Sequence, residues 1–124
     1  MDEDREPGAP DPADVLAVTV ADAGDGVQVR LTGELDAHTA PLVEAMFAAL
    51  RNLPVGRRVG LDLSPLTFID SSGLRVLLLG RTEAAGAGLD VTVDGSNSAI
   101  DRLLQITGVG DILRGSAGAG TDLS

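Results

Sequence analysis

Arg58-Val-Gly-Leu-Asp-Leu63-Ser-Pro-Leu-Thr-Phe-Ile69-Asp70-Ser-Ser-Gly73-Leu-Arg-Val-Leu-Leu-Leu79 is the stretch whose reading decides the fold. Its first six residues read as a strand, with Val59, Leu61 and Leu63 at alternate positions. Ser64 to Ile69 then reads as a loop. From Leu74 the chain is apolar nearly all round and runs through Arg81 to Ala85, so it reads as a helix buried on most sides, stopped by Gly86 and Gly88. A strand delivered through a polar turn into a buried helix is the repeating unit of a parallel sheet.

Elements of the same kind flank this unit. Upstream, Val15–Val20 and Val27–Thr32 read as strands joined by the turn residues Asp22-Ala-Gly-Asp-Gly26. A helix follows, with Thr39 placed as its cap and Pro41 in the first turn. Val43, Met46, Phe47 and Leu50 fall at i, i+3, i+4 and i+7, and Pro54 and Gly56 end the helix. Downstream, Leu89–Val93 is a strand. Ser98 is placed to cap a third helix with the stripe Ile100, Leu103 and Leu104, and Asp101 lies in its first turn. Val109, Ile112 and Leu113 suggest a closing strand. The order β-β-α-β-α-β-α-(β) predicts an α/β single domain: a mixed, mostly parallel sheet of four to five strands, with helices packed against it and an antiparallel hairpin at one edge.

Composition narrows the function. The 124 residues suit one domain over 15–114, between an acidic, proline-rich leader at 1–14 read as disordered and a flexible small-residue tail at 115–124. The net charge is −10, half of it in the leader, and every basic residue is arginine. Such a balance argues against nonspecific nucleic-acid or membrane binding, both of which need a positive surface. There is no cysteine and a single histidine, so thiolate chemistry and multi-histidine metal sites are excluded. No secretory signal or membrane-spanning run is seen, and a cytoplasmic monomer without a cofactor of its own is expected.

Two segments could carry chemistry. Asp70-Ser71-Ser72-Gly73 stands at a helix start, where Asp70 or Ser71 can cap by accepting from exposed amides. A serine hydrolase elbow needs Gly-x-Ser-x-Gly. Ile69 occupies the first glycine position before Ser71, Asp70 and Leu74 flank Ser72, and His38 is the sole histidine base. A phosphate-gripping loop fails as well, since no glycine-rich run ends in lysine. What remains for the hydroxyl is to accept a phosphoryl group of about −1.5 to −2 charges at neutral pH. Leu31-Thr-Gly-Glu-Leu-Asp36, followed by Ala37-His-Thr-Ala40, is the second segment. Glu34 and Asp36 could ligate a metal, but two carboxylates with one histidine make a poor case, and with His38 they read as solvated loop residues, with Asp36 or Thr39 capping.

Taken with Gly108-Val-Gly-Asp-Ile-Leu113, these segments resemble the signatures of the STAS family, and within it the single-domain bacterial anti-sigma factor antagonists. The likeness spans about residues 15–113. It implies a partner switch in transcription regulation and stress response. The unmodified antagonist would bind an anti-sigma factor that is also a serine kinase of histidine-kinase-like ATPase fold, freeing the sigma factor. ATP and magnesium belong to that kinase, and a PP2C-type phosphatase would reverse the modification. The acceptor position matches Ser71, with Ser72 beside it; Asp36 and Asp70 match acidic neighbours, and Gly73 and the following helix match the partner-facing surface. His38 lies in the same loop as Asp36. Helix geometry adds the expectation that Leu74, Leu77, Leu78 and Arg81 face the sheet while Arg75, Val76 and Leu79 form a docking patch. An unphosphorylated STAS adaptor or nucleotide sensor is the alternative. The tail lacks the helical stripe with which family members usually continue.

Overall fold

The computed structural model describes residues 11–108. Most of the leader, the closing strand at Val109, Ile112 and Leu113, and the tail at 115–124 lie outside the described residues. The chain opens with a single helical turn, α1 (Pro12–Val15), whose cap Asp11 accepts from Ala13 N through Oδ1 at 3.0 Å. This differs from a leader running to residue 14 and a strand from residue 15. Asp followed by Pro is itself a helix-start signal, because the aspartate satisfies an amide and proline has none to satisfy.

The antiparallel hairpin of β1 (Leu16–Asp22) and β2 (Gly26–Leu35) comes next. Its turn is held by Asp22 Oδ1 accepting from Gly24 N at 2.8 Å. The helix α2 (Ala40–Leu50) buries Val43, Met46, Phe47 and Leu50, the four residues of its apolar stripe. Then come β3 (Arg58–Asp62), β4 (Leu66–Ile69), α3 (Ser71–Gly86), β5 (Asp90–Gly95) and α4 (Ser98–Thr107). Strands β2, β3 and β5 are parallel neighbours in the order β1-β2-β3-β5.

Strand β4 corrects the reading of residues 64–69 as a loop. It pairs in parallel with the far half of β2, Leu35 opposite Ile69, so it continues the line of β3 along the same neighbour. Between the two, Asp62 Oδ1 accepts from Ser64 N at 3.0 Å and Ser64 Oγ at 2.6 Å, which makes the break. Asn97, not Ser98, caps α4: its Oδ1 accepts from Ile100 N at 3.0 Å. Its amide nitrogen donates to the carbonyls of Ser64 and Leu66 at 3.0 and 2.9 Å, tying the helix to the start of β4.

The sheet has one dry face. Val29, Leu31, Val59, Leu61 and Val91 join Phe47, Leu74, Leu77 and Ala84 in one core, so α2 and α3 cover the same side. Successive right-handed crossovers moving one way across a sheet require that placement. The alternating residues Arg30, Thr32, Arg58, Asp62 and Asp94 form the opposite, polar face, laced by Arg30 to Asp62 at 3.1 Å and Arg58 to Asp94 at 4.0 Å. Arg81 does turn inward and is buried, as the helix geometry predicts. Burial disfavours its charge, while Asp90 favours it.

Candidate functional site

The site lies at the carboxyl ends of β2 and β4, where α/β sheets commonly place their functional loops. Leu35 and Ile69 are paired, so the residues that follow them, Asp36 and Asp70, leave neighbouring strands side by side. The Asp70 amide donates to the Leu35 carbonyl at 3.2 Å, extending the ladder one step beyond the strands.

Asp70 is the cap of α3. Its Oδ1 accepts from Gly73 N at 2.9 Å, and its carbonyl takes the first helical bond, from Leu74 N at 2.9 Å. Ser71 is therefore the first residue of the helix and is exposed, while Ser72 is half-buried. Gly73 is buried for a steric reason. A Cβ there would stand 2.6 Å from the Leu35 carbonyl oxygen and 2.7 Å from Leu35 Cγ. Only a residue without a side chain lets the first turn of α3 rest on the end of β2.

The Asp36 loop is folded on itself. Asp36 Oδ1 accepts from the amides of His38 and Thr39 at 2.9 and 3.1 Å. Thr39 Oγ1 donates to the Glu34 carbonyl at 2.9 Å and accepts from Asp36 N at 2.9 Å. Thr39 is thus the knot of the loop, fully buried, and its hydroxyl makes no bond that caps α2. Sequence reasoning gave it the wrong partner, because a threonine before Ala-Pro looks the same in either role. Asp36 is half-buried and His38 exposed.

Of the docking patch, Arg75 is exposed and Leu79 is 50% exposed, but Val76 is only 6% exposed. Its placement on an outer surface is corrected: Val76 belongs to the core and lines, with Phe47 and Gly80, the cleft between α2 and α3. The position faces α2, a neighbour that the wheel of α3 alone does not reveal. Near Asp70, on β4 and opposite Glu34, Phe68 is 49% exposed, and the sequence reading passed it over. Exposed aromatics beside a site are candidates for a partner contact.

Chemically, the arrangement offers a primary alcohol on a rigid frame. Two carboxylates flank it, and both are already committed to backbone amides. Among the described residues no three His, Asp or Glu side chains converge as a cation site requires. No helix among them is long and apolar enough to cross a membrane.

Comparison with known proteins matches residues 18–114 to the family described as Mlab, STAS domain. A relative from Paenibacillus polymyxa, named anti-sigma F factor antagonist, is 36% identical over 86 residues, which is 68% of this chain and 73% of that one. Among solved structures, an anti-sigma factor antagonist from Mycobacterium paratuberculosis superposes with a TM-score of 0.66 at 28% identity, covering 86% of each chain. The anti-sigma factor antagonist SpoIIAA in its unphosphorylated form does so with a TM-score of 0.60 at 26% identity, covering 76% of this chain and 83% of that one.

Proposed function

The chain belongs to the STAS domain family, and from that premise we propose that it is an anti-sigma factor antagonist switched by phosphorylation of Ser71. The single observation that carries this reading is the exposed Ser71 hydroxyl on the first residue of a capped, buried helix. Unmodified, the surface around Ser71, Arg75, Leu79 and the Asp36–His38 loop docks on an anti-sigma factor, which releases its sigma factor. That partner is a serine kinase of histidine-kinase-like ATPase fold. Ser71 Oγ takes the γ-phosphoryl group of ATP and loses its proton, with ADP as the leaving group. A PP2C-type phosphatase restores the hydroxyl. The protein acts as a cytoplasmic monomer by binding, with no catalysis of its own.

Energetics favour such a switch. The helix start accommodates an anion without refolding, since its amides and dipole point toward it. A docked partner would have to bury a dianion beside Asp70, and an ill-paired charge at an interface costs several kcal/mol. With about 1.4 kcal/mol per tenfold in affinity, release by a hundredfold or more follows. Calorimetry with the cognate kinase tests this: S71A should bind whether or not ATP is present, and S71E should bind at least about a hundredfold more weakly. Equal affinities, together with no added phosphate by intact mass after incubation with kinase and ATP, would point instead to an unphosphorylated adaptor.

A further inference from the structure

Arg75 stands one helical turn beyond Ser71. Residues at i and i+4 share a helix face with their Cβ atoms about 5–6 Å apart, and side chains on a helix lean toward its N-terminus. Both residues are exposed. Arg30, Arg51 and Arg58 each face a carboxylate, whereas among the described residues Arg75 makes no hydrogen bond or ion pair. Its positions one turn away are Ser71 and Ser72 on one side and Leu78 and Leu79 on the other, so no native acid of α3 can pair with it. Arg81 is buried, which leaves Arg75 as the exposed cation of this helix.

We infer that Arg75 is the built-in counter-ion of a phosphate on Ser71, the two forming an intrahelical phosphoserine–arginine pair. This rests on the reading of Ser71 as the acceptor and adds a second half to the switch. In the unmodified protein the guanidinium extends from the docking surface and is available to a partner's acid or carbonyl. Phosphorylation then changes that surface twice: it adds negative charge at Ser71, and it draws the neighbouring cation onto the phosphate and out of the partner's reach. Anion first and cation four residues later is also the better order for a helix.

The test uses the full chain with phosphoserine placed at position 71 during translation, so neither kinase nor partner is involved. The phosphorus resonance is followed across about pH 4 to 9, which brackets the second phosphate ionisation near 6. Parent, R75Q and R75K are compared. Asp70, Asp36 and His38 face the same region and are common to all three. The midpoint should lie at least about 0.3 pH unit lower in the parent than in R75Q, with R75K restoring part of the gap. About 1 M salt should shrink the difference, since an exposed pair is screened. Equal midpoints in parent and R75Q, or a gap that salt leaves unchanged, would overturn the pairing while leaving the Ser71 switch standing. Failure of phosphorylation to alter partner affinity would do the reverse.

Discussion

At Gly73 the backbone of α3 comes so near β2 that a single methyl group has nowhere to go. In an open helix, alanine would be favoured over glycine by about 1 kcal/mol. Here the added carbon meets a carbonyl oxygen at 2.6 Å, a backbone atom that cannot rotate away. We therefore predict that G73A is less stable by about 1–3 kcal/mol, read from urea unfolding, because overpacking outweighs the propensity gain. Thr39 illustrates how residue identity alone can mislead. A buried hydroxyl must find partners, and this one finds Glu34 and Asp36 rather than the helix that follows it.

The break between β3 and β4 decides where Ser71 sits, because it lets two short strands share one long neighbour. Asp62 makes that break, and its carboxyl is held below the usual carboxylate range, first by the Ser64 hydroxyl and then by the Ser64 amide and Arg30, against the opposing effect of burial. A carboxyl whose folded pKa is depressed contributes stability above its unfolded value of about 3.9 and loses it as pH falls through the lower folded value. D62N should therefore be less stable than the parent by about 1–2 kcal/mol at neutral pH. Urea midpoints of the two proteins should converge as the pH falls to about 3 and below. A gap of constant size over that range would assign the effect to something other than the carboxylate charge.

For the whole molecule, the core depends on one aromatic side chain. Phe47 is 2% exposed and lies against Gly80, where any side chain would run into its ring, so α2 and α3 meet through this pair. Replacing a buried phenylalanine by alanine typically costs about 3–5 kcal/mol, set against a total of about 5–15 for a domain. F47A should accordingly lower the urea midpoint more than any surface change, and S71A should leave it within the range of about 0.5 kcal/mol expected of an exposed position. Equal effects from the two substitutions would mean that the helix layer does not hold the fold together as described.

Local pattern was enough for much of this. The stripe of α2, the buried run of α3, the opening hairpin and the α/β order follow from periodicity and turn residues, which act over a few positions. Asp70-Ser-Ser-Gly73 could be read as a capped helix start because capping is a contact between near neighbours. Strand β4 could not be read, since four residues become a strand only when the far half of β2 offers its edge. The burial of Val76 and the locking of Asp36 by Thr39 were hidden for the same reason. Each depends on a surface contributed by a distant part of the chain or on which of two equivalent hydrogen-bond partners lies nearer, and only the folded chain brings those groups into reach.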